Sequence, residues 1–225
     1  MNRSSILFVL SVLALALAAA STSEDVNANH NHQLAVTITN LTKGQVFSPP
    51  IIATHHRRLT PLFELGAKAS DELAALAEDG KTGPLEKIWK DDPLVKEVVT
   101  AGDPIPPGES ATVYINASYS YDNMTVAGML VSSNDAFFAL NGVKLSRYDW
   151  KTYQSAAYDA GSEDNNEMCA FIPGPPCMNG AGMRDTDGAE GYVYIHSGIH
   201  GSADLMASVR DWNNPVAKIT VRRVR

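Results

Sequence analysis

The chain lacks the features that would commit it to nucleic acid, to a membrane interior or to a well-known catalytic apparatus. Its 225 residues carry 18 lysines and arginines against 25 aspartates and glutamates, a formal net charge of −7. That balance argues against a nucleic-acid partner, which calls for a basic face. Beyond the first 20 residues no apolar run approaches the roughly 20 residues needed to span a bilayer. There is no Gly-x-Ser-x-Gly elbow. Two histidines four apart, His196 and His200, are followed and preceded by the wrong residues for a metalloprotease, because Ser197 stands where a glutamate is required. No internal repeat or low-complexity tract is present. Nothing positive supports an enzyme, although paired carboxylates or a histidine-bound metal keep a secreted hydrolase as the alternative reading.

Only two cysteines occur, Cys169 and Cys177, bracketing Ala170-Phe171-Ile172-Pro173-Gly174-Pro175-Pro176. In an oxidising compartment such neighbours are expected to form a disulfide; a metal pair or a nucleophilic thiol is the lesser alternative, since neither residue has a recognisable ligand or catalytic spacing. The compartment is suggested by the start of the chain. Met1-Asn2-Arg3, an apolar run from Ile6 to Leu17 and the exit Ala18-Ala19-Ala20 read as a secretory signal peptide over residues 1–20. A membrane anchor is the competing reading, and the run is short for it. Residues 21–33 are polar with almost no apolar anchor and are expected to form a flexible tail, leaving a secreted or periplasmic domain over 34–225 with no membrane span after signal removal.

Hydrophobic alternation gives strands. Leu34, Val36 and Ile38 alternate with Ala35, Thr37 and Thr39, and similar patterns predict strands over 111–117, 126–131, 191–195 and 217–224. Two short helices interrupt them. Ser70 caps Asp71–Asp79 with Gly80 at the exit, and Pro84 opens Leu85–Lys90 with Pro93 ending it. Turn signals between most strands favour an all-β antiparallel sandwich, with the helices in an inserted connection.

The richest chemistry lies in Tyr158-Asp159-Ala160-Gly161-Ser162-Glu163-Asp164-Asn165-Asn166-Glu167. Its carboxylates and amides around a glycine are hard oxygen donors of the kind Ca²⁺ takes outside the cell. The plainer reading is a solvated turn whose aspartates satisfy backbone amides, and the loop lacks the regular alternation and closing glutamate of an EF-hand. Asp185 and Asp187, in Asp185-Thr186-Asp187-Gly188, offer a second, weaker cation site or an ordinary hairpin turn. His196 and His200 offer a zinc site, though Gly198 and Gly201 work against the helix that would align them.

Several segments resemble the N-terminal spondin domain found in F-spondin and mindin, most closely its stand-alone bacterial-type versions. They are Val36-Thr37-Ile38-Thr39-Asn40-Leu41-Thr42 with Gln45-Val46-Phe47-Ser48-Pro49-Pro50; Leu62-Phe63-Glu64-Leu65-Gly66-Ala67; Ser132-Ser133-Asn134-Asp135-Ala136-Phe137-Phe138; Tyr158 to Asp164; and Asn214-Pro215-Val216-Ala217-Lys218-Ile219-Thr220-Val221. The resemblance runs from about residue 34 to 224. It implies a β-sandwich similar to C2 domains, a Ca²⁺ near one end of the sheets, and adhesion or matrix binding to an extracellular protein or glycan. Asp135 and Asp159 fall where the family carries metal-binding acids, Glu163 or Asp164 fills the last acidic position, and Asn134 adds an amide oxygen or caps a turn. Two departures stand out: the aromatic after Asp135 is displaced by one residue, and an insertion of about residues 166–186 holds both cysteines. If the signal peptide reading holds, amino-terminal sequencing of the exported protein begins at Ser21; a chain that retains Met1 contradicts it.

Overall fold

The computed structural model describes residues 31–145 and 150–224. The expected signal peptide and most of the expected tail lie outside the described residues. The tail's last residues do not: the first strand, β1, spans His32–Asn40 and pairs His32 with Ala117, so order begins before the anticipated Leu34.

Among the described residues, ten strands form two antiparallel sheets. After β1 come β2 (Ile51–His55), helices α1 (Asp71–Asp79) and α2 (Gly83–Asp91), β3 (Val95–Thr100), β4 (Ser110–Ala117), β5 (Asn123–Met129), β6 (Ala136–Lys144), β7 (Trp150–Ser155), β8 (Ala157–Asp159), β9 (Tyr194–Ile195), a four-residue α3 (Ala207–Arg210) and β10 (Ala217–Arg223). The four-stranded sheet runs β4-β1-β10-β7 and the six-stranded sheet β3-β2-β5-β6-β8-β9. This is the all-β sandwich that the alternating pattern implied, with two short helices in the connection between β2 and β3.

The four-stranded sheet explains why its strands were legible. Register places Val36 between Val113 and Val221, and Ile38 between Ala111 and Ile219, so one face is a continuous apolar stripe. The next residues along the pleat align Thr112, Thr37, Thr220 and Thr152 on the outer face. Their hydroxyls pair across strands, Thr37 with Thr112 at 2.8 Å and Thr152 with Thr220 at 3.1 Å. A one-residue slip would bury this polar row and expose the valines, which fixes the register.

The six-stranded sheet is buried on both sides. Ile52, Val126 and Phe138 face the first sheet, while Ile51, Ala53, Ala127, Phe137 and Ala139 face Leu73, Leu76 and Ala77 of α1 and Leu85 and Trp89 of α2. The helices are therefore an added layer. α1 forms as its signals require: Ser70 Oγ accepts from Leu73 N at 3.2 Å, and Gly80 closes the helix with φ 66°. α2 starts at Gly83, with proline in its first turn and no side-chain cap, and encloses the expected 85–90.

Strands β2, β3, β6, β7 and β8 were not anticipated, and the physical reason differs among them. In β2 all five residues are buried and in β6 the first five are, so there is no apolar–polar alternation to find. β8 is three residues long. The stretch expected over 191–195 contributes only Tyr194 and Ile195, and that over 126–131 begins at Asn123 and ends at Met129. Cys169 and Cys177 form the expected disulfide within the insertion. Among the described residues, no helix is long and apolar enough to cross a membrane.

Phe137 is fully buried, stacking edge-on to Phe63 at 5.3 Å and against Tyr158 at 5.6 Å. Phe137→Ala is expected to cost about 3–5 kcal/mol in chemical denaturation, whereas Leu65→Ala, at an exposed position, should stay within about 0.5 kcal/mol. Equal losses at the two sites would contradict this layering.

Candidate functional site

Two acids meet because two strands do. In the antiparallel pairing of β6 with β8, Ala136 lies opposite Asp159, and Ala160 N donates to the carbonyl of Asp135 at 3.2 Å. Asp135 at the entrance to β6 and Asp159 at the exit of β8 therefore stand side by side. Both are completely buried, and the charge of Asp159 acts on Asp135.

The turn that follows β8 folds over them. Gly161 adopts φ 64°, and a Cβ there would sit 2.3 Å from the carbonyl oxygen of Tyr192, so only glycine fits. The reversal aims two backbone amides and a hydroxyl at Asp135: Ser162 N at 2.7 Å, Glu163 N at 3.0 Å and Ser162 Oγ at 3.1 Å all reach Oδ2. Oδ1 has no hydrogen-bond partner. Asp159 Oδ1 accepts from Gly161 N at 2.7 Å and Oδ2 from Asn165 Nδ2 at 2.7 Å. Among the described residues, no lysine or arginine forms an ion pair with either acid.

Glu163 is the third buried carboxylate. Among the described residues neither of its oxygens has a hydrogen bond, and Arg184 pairs with it, with Nε 3.3 Å from Oε1. That guanidinium is already engaged by Glu78 and Asp79 at the end of α1. Arg184 thus ties the cysteine-bearing insertion to the helical layer and leaves Glu163 a shared partner only. Asp164 faces elsewhere: its N–H donates to the carbonyl of Asp185 at 2.8 Å, and its side chain lies beside Gly188. Of the two candidates for the last acidic position, Glu163 is the one enclosed with Asp135.

The remaining candidates fall into separate roles. Asn134 accepts from Glu167 N at 3.3 Å and donates to Asn166 Oδ1 at 3.3 Å, bracing the loop. Asp185 accepts from Asn166 Nδ2 at 2.8 Å and from Asp187 N at 3.2 Å, the pattern of a turn, and Asp187 is exposed. His196 is buried against Trp212, ring centroids 5.0 Å apart, with Nε2 3.5 Å from Asp159 Oδ2. His200 is exposed, its Nε2 3.2 Å from Ser197 Oγ. The two imidazoles occupy different environments. Among the described residues, no three His, Cys, Asp or Glu side chains converge as a preformed metal cluster.

Sequence reasoning missed four members. Glu167, at φ 56°, accepts from His200 N at 2.6 Å and Ser202 N at 2.8 Å, clamping the distant 197–202 loop. Asn165 Nδ2 reaches Asp159, Glu190 at 3.2 Å and Tyr194 Oη at 3.0 Å, and Tyr194 Oη donates to Glu190 Oε1 at 2.8 Å. Asn165 and Glu167 lie in the acidic stretch, but Glu190 and Tyr194 are joined to it only by the pairing of β8 with β9, which places Tyr194 opposite Asp159.

Burial sets the protonation of this cluster. It pushes Asp135 well above the usual carboxylate range, reinforced by the charge of Asp159, while the amide donors pull the other way. Asp159 is raised by burial against the same kind of opposition, and Glu163 is raised to about 9 by burial, with Arg184 opposing. Burial also holds His196 at about 4, so it is neutral near pH 7. Matched against protein-family models the chain fits none, and curated proteins provide no match.

A carboxyl whose pKa is higher folded than unfolded binds extra protons in the native state, so its contribution is complete below the unfolded value and is lost as pH rises to the folded one. For Glu163 that window runs from 4.5 to about 9, and Asp135 and Asp159 shift in the same direction. In EDTA the melting temperature should therefore fall from about pH 5 to about pH 8, and Glu163→Gln should flatten part of that slope. A melting temperature that climbs across this range would contradict the assignment.

Proposed function

We propose that this chain is a secreted spondin-type domain, a β-sandwich steadied by Ca²⁺ that binds an extracellular protein or glycan through loops at one end. One observation carries the reading: Asp135 and Asp159 lie buried together and, among the described residues, no lysine or arginine pairs with them and no group hydrogen-bonds Asp135 Oδ1. Two enclosed carboxyls without a counter-charge are costly as anions. They are stable only when protons or a cation neutralise them, and a divalent ion does so at neutral pH.

The residues present suit calcium better than a softer metal. Asp135 and Asp159 would be the carboxylate ligands, with Glu163 within reach if it leaves Arg184; carbonyl, amide and water oxygens would complete the six to eight that Ca²⁺ prefers. A site with so few fixed carboxylates fits the weak affinities of extracellular modules, about 10⁻⁴ to 10⁻³ M. The ion would act as a staple, fixing the turn after β8 and, through Asn165 and Glu167, the loops beyond it.

The Cys169–Cys177 disulfide fits an oxidising compartment, and the spondin segments quoted above fall on the elements that build the cluster. Ser132–Phe138 leads into β6, and Tyr158–Asp164 carries Asp159 and its turn. The module reading is preferred over a hydrolase because Asp135 and Asp159 are completely buried, so neither carboxyl is presented to a substrate in solution.

Calcium at about a hundredfold over its dissociation constant should stabilise the EDTA-treated protein by about 2.7 kcal/mol, which for a domain of this size is a rise of about 5–10 °C in melting temperature. Asp135→Asn should abolish the rise. No response of the wild-type protein to calcium would refute the site.

A further inference from the structure

The four-stranded sheet turns one face to the core and the other to solvent. Across the outer face the register sets Tyr114, Ala35, Arg222 and Trp150 in one row, strand by strand. Trp150 is 67 % exposed and Tyr114 55 %, although such large rings are ordinarily covered for most of their area. They stand on β7 and β4, the two edges of the sheet, three strand spacings or roughly 14 Å apart. Ala35, the short residue of the row, leaves the rings and the guanidinium standing proud of the sheet.

Charge on this face has one sign. Lys218 and Arg222 point outward from β10 and are exposed, and among the described residues neither forms an ion pair. The outward positions of all four strands hold no aspartate or glutamate, in a chain whose formal net charge is −7. The two cations are four residues apart, roughly 13 Å along the strand, with the threonine row between them. The pairs Thr37–Thr112, Thr152–Thr220 and Thr39–Ser110 each use one hydroxyl proton, so the second O–H of each pair can donate to a ligand.

These features select one kind of partner. An apolar surface would strand the hydroxyls and the cations. A second copy of this chain, laid face to face, would set lysine and arginine against their own kind. An anionic membrane is recognised by clusters of about four to eight lysines and arginines, and a nucleic acid by a denser basic face than two separated cations. A sugar polymer with carboxylates spaced along it meets every feature. The C–H faces of its rings cover the aromatics, its hydroxyls meet the threonine row, and its carboxylates pair with Lys218 and with the planar fork of Arg222.

We infer that the outer face of the four-stranded sheet binds an acidic polysaccharide, with sugar rings on Trp150 and Tyr114 and carboxylates on Arg222 and Lys218. The inference goes beyond the reading above, because it assigns a second surface and a ligand class. The face belongs to the sheet that does not carry Asp135 and Asp159, and it needs no cation.

The test is a calorimetric titration of the mature wild-type protein in EDTA at about pH 6, where sugar carboxylates are ionised. Polygalacturonate and alginate are the probes; neutral galactan, phosphatidylserine vesicles and oligothymidylate are the counter-probes. The expected result is saturable binding of at least one acidic polymer, weakened by added salt. Affinity should fall about tenfold or more in Trp150→Ala and in Arg222→Gln, the loss typical of a central aromatic or arginine contact. Both side chains are exposed, so the variants should melt with the wild-type protein. The inference is overturned if neither acidic polymer binds, if galactan binds as tightly as they do, if the two variants bind as well as wild type, or if vesicles or oligothymidylate bind more tightly than either acidic polymer. Because the titration contains no calcium, failure of the calcium site and failure of this surface register separately.

Discussion

The structure turns on the pairing of β6 with β8, which brings Asp135 and Asp159 together out of reach of water. Backbone geometry enforces the encounter, since the ladder that satisfies the strand amides also delivers the two carboxyls to one place. Their mutual repulsion would open the pairing were it not countered by donors folded in from the next turn. Three of these converge on Asp135 Oδ2 and two groups hold Asp159. The donors orient the acids without cancelling their charge, and what remains is a demand for a proton or a cation.

The rest of the molecule can be understood as the frame that keeps this demand from being relaxed by movement. The inter-sheet core fixes one face of β6 through Phe138 and Leu140, and the helical layer fixes the other through Phe137 and Ala139. A strand gripped from both sides cannot shift its register to bring Asp135 into solvent. At the rim, Arg184 links the insertion to Glu78 and Asp79 of α1, with the Asp79 carboxyl held at about 2 by Arg184 and Lys81 despite its burial. Glu167 performs the same service for the 197–202 loop with two backbone amides. The disulfide closes the insertion on itself. The loops at this rim are thereby tied to elements packed into the core.

How much of this could be read from the chain depends on where each residue faces. β1, β4 and β10 have one wet face, so Val36, Ile38, Val113, Ile219 and Val221 stood out by alternation, and Ser70 and Gly80 marked α1. β2 and β6 have no wet face, and a pattern that is apolar throughout carries no period. Asp135 and Asp159 were identifiable through the resemblance and the acidic composition around them, whereas their enclosure was not, because it arises from a three-residue strand and a helical layer. The choice between Glu163 and Asp164 needed the turn at Gly161 to show which side chain points inward. His196 was named from the sequence and a strand was expected over 191–195, but that Tyr194, and Glu190 bonded to it, meet Asp159 depends on which two residues of that stretch pair with β8.

In the proposed function the carboxyl pair holds protons when it lacks a divalent ion and exchanges them for calcium. Proton release can be measured by calorimetric calcium titration near neutral pH in buffers of differing ionisation enthalpy. One calcium per chain is expected, with an apparent enthalpy that varies with the buffer as protons are expelled on binding, and both effects should be absent in Asp159→Asn. Calcium uptake that releases no protons, or that survives in Asp159→Asn, would contradict it.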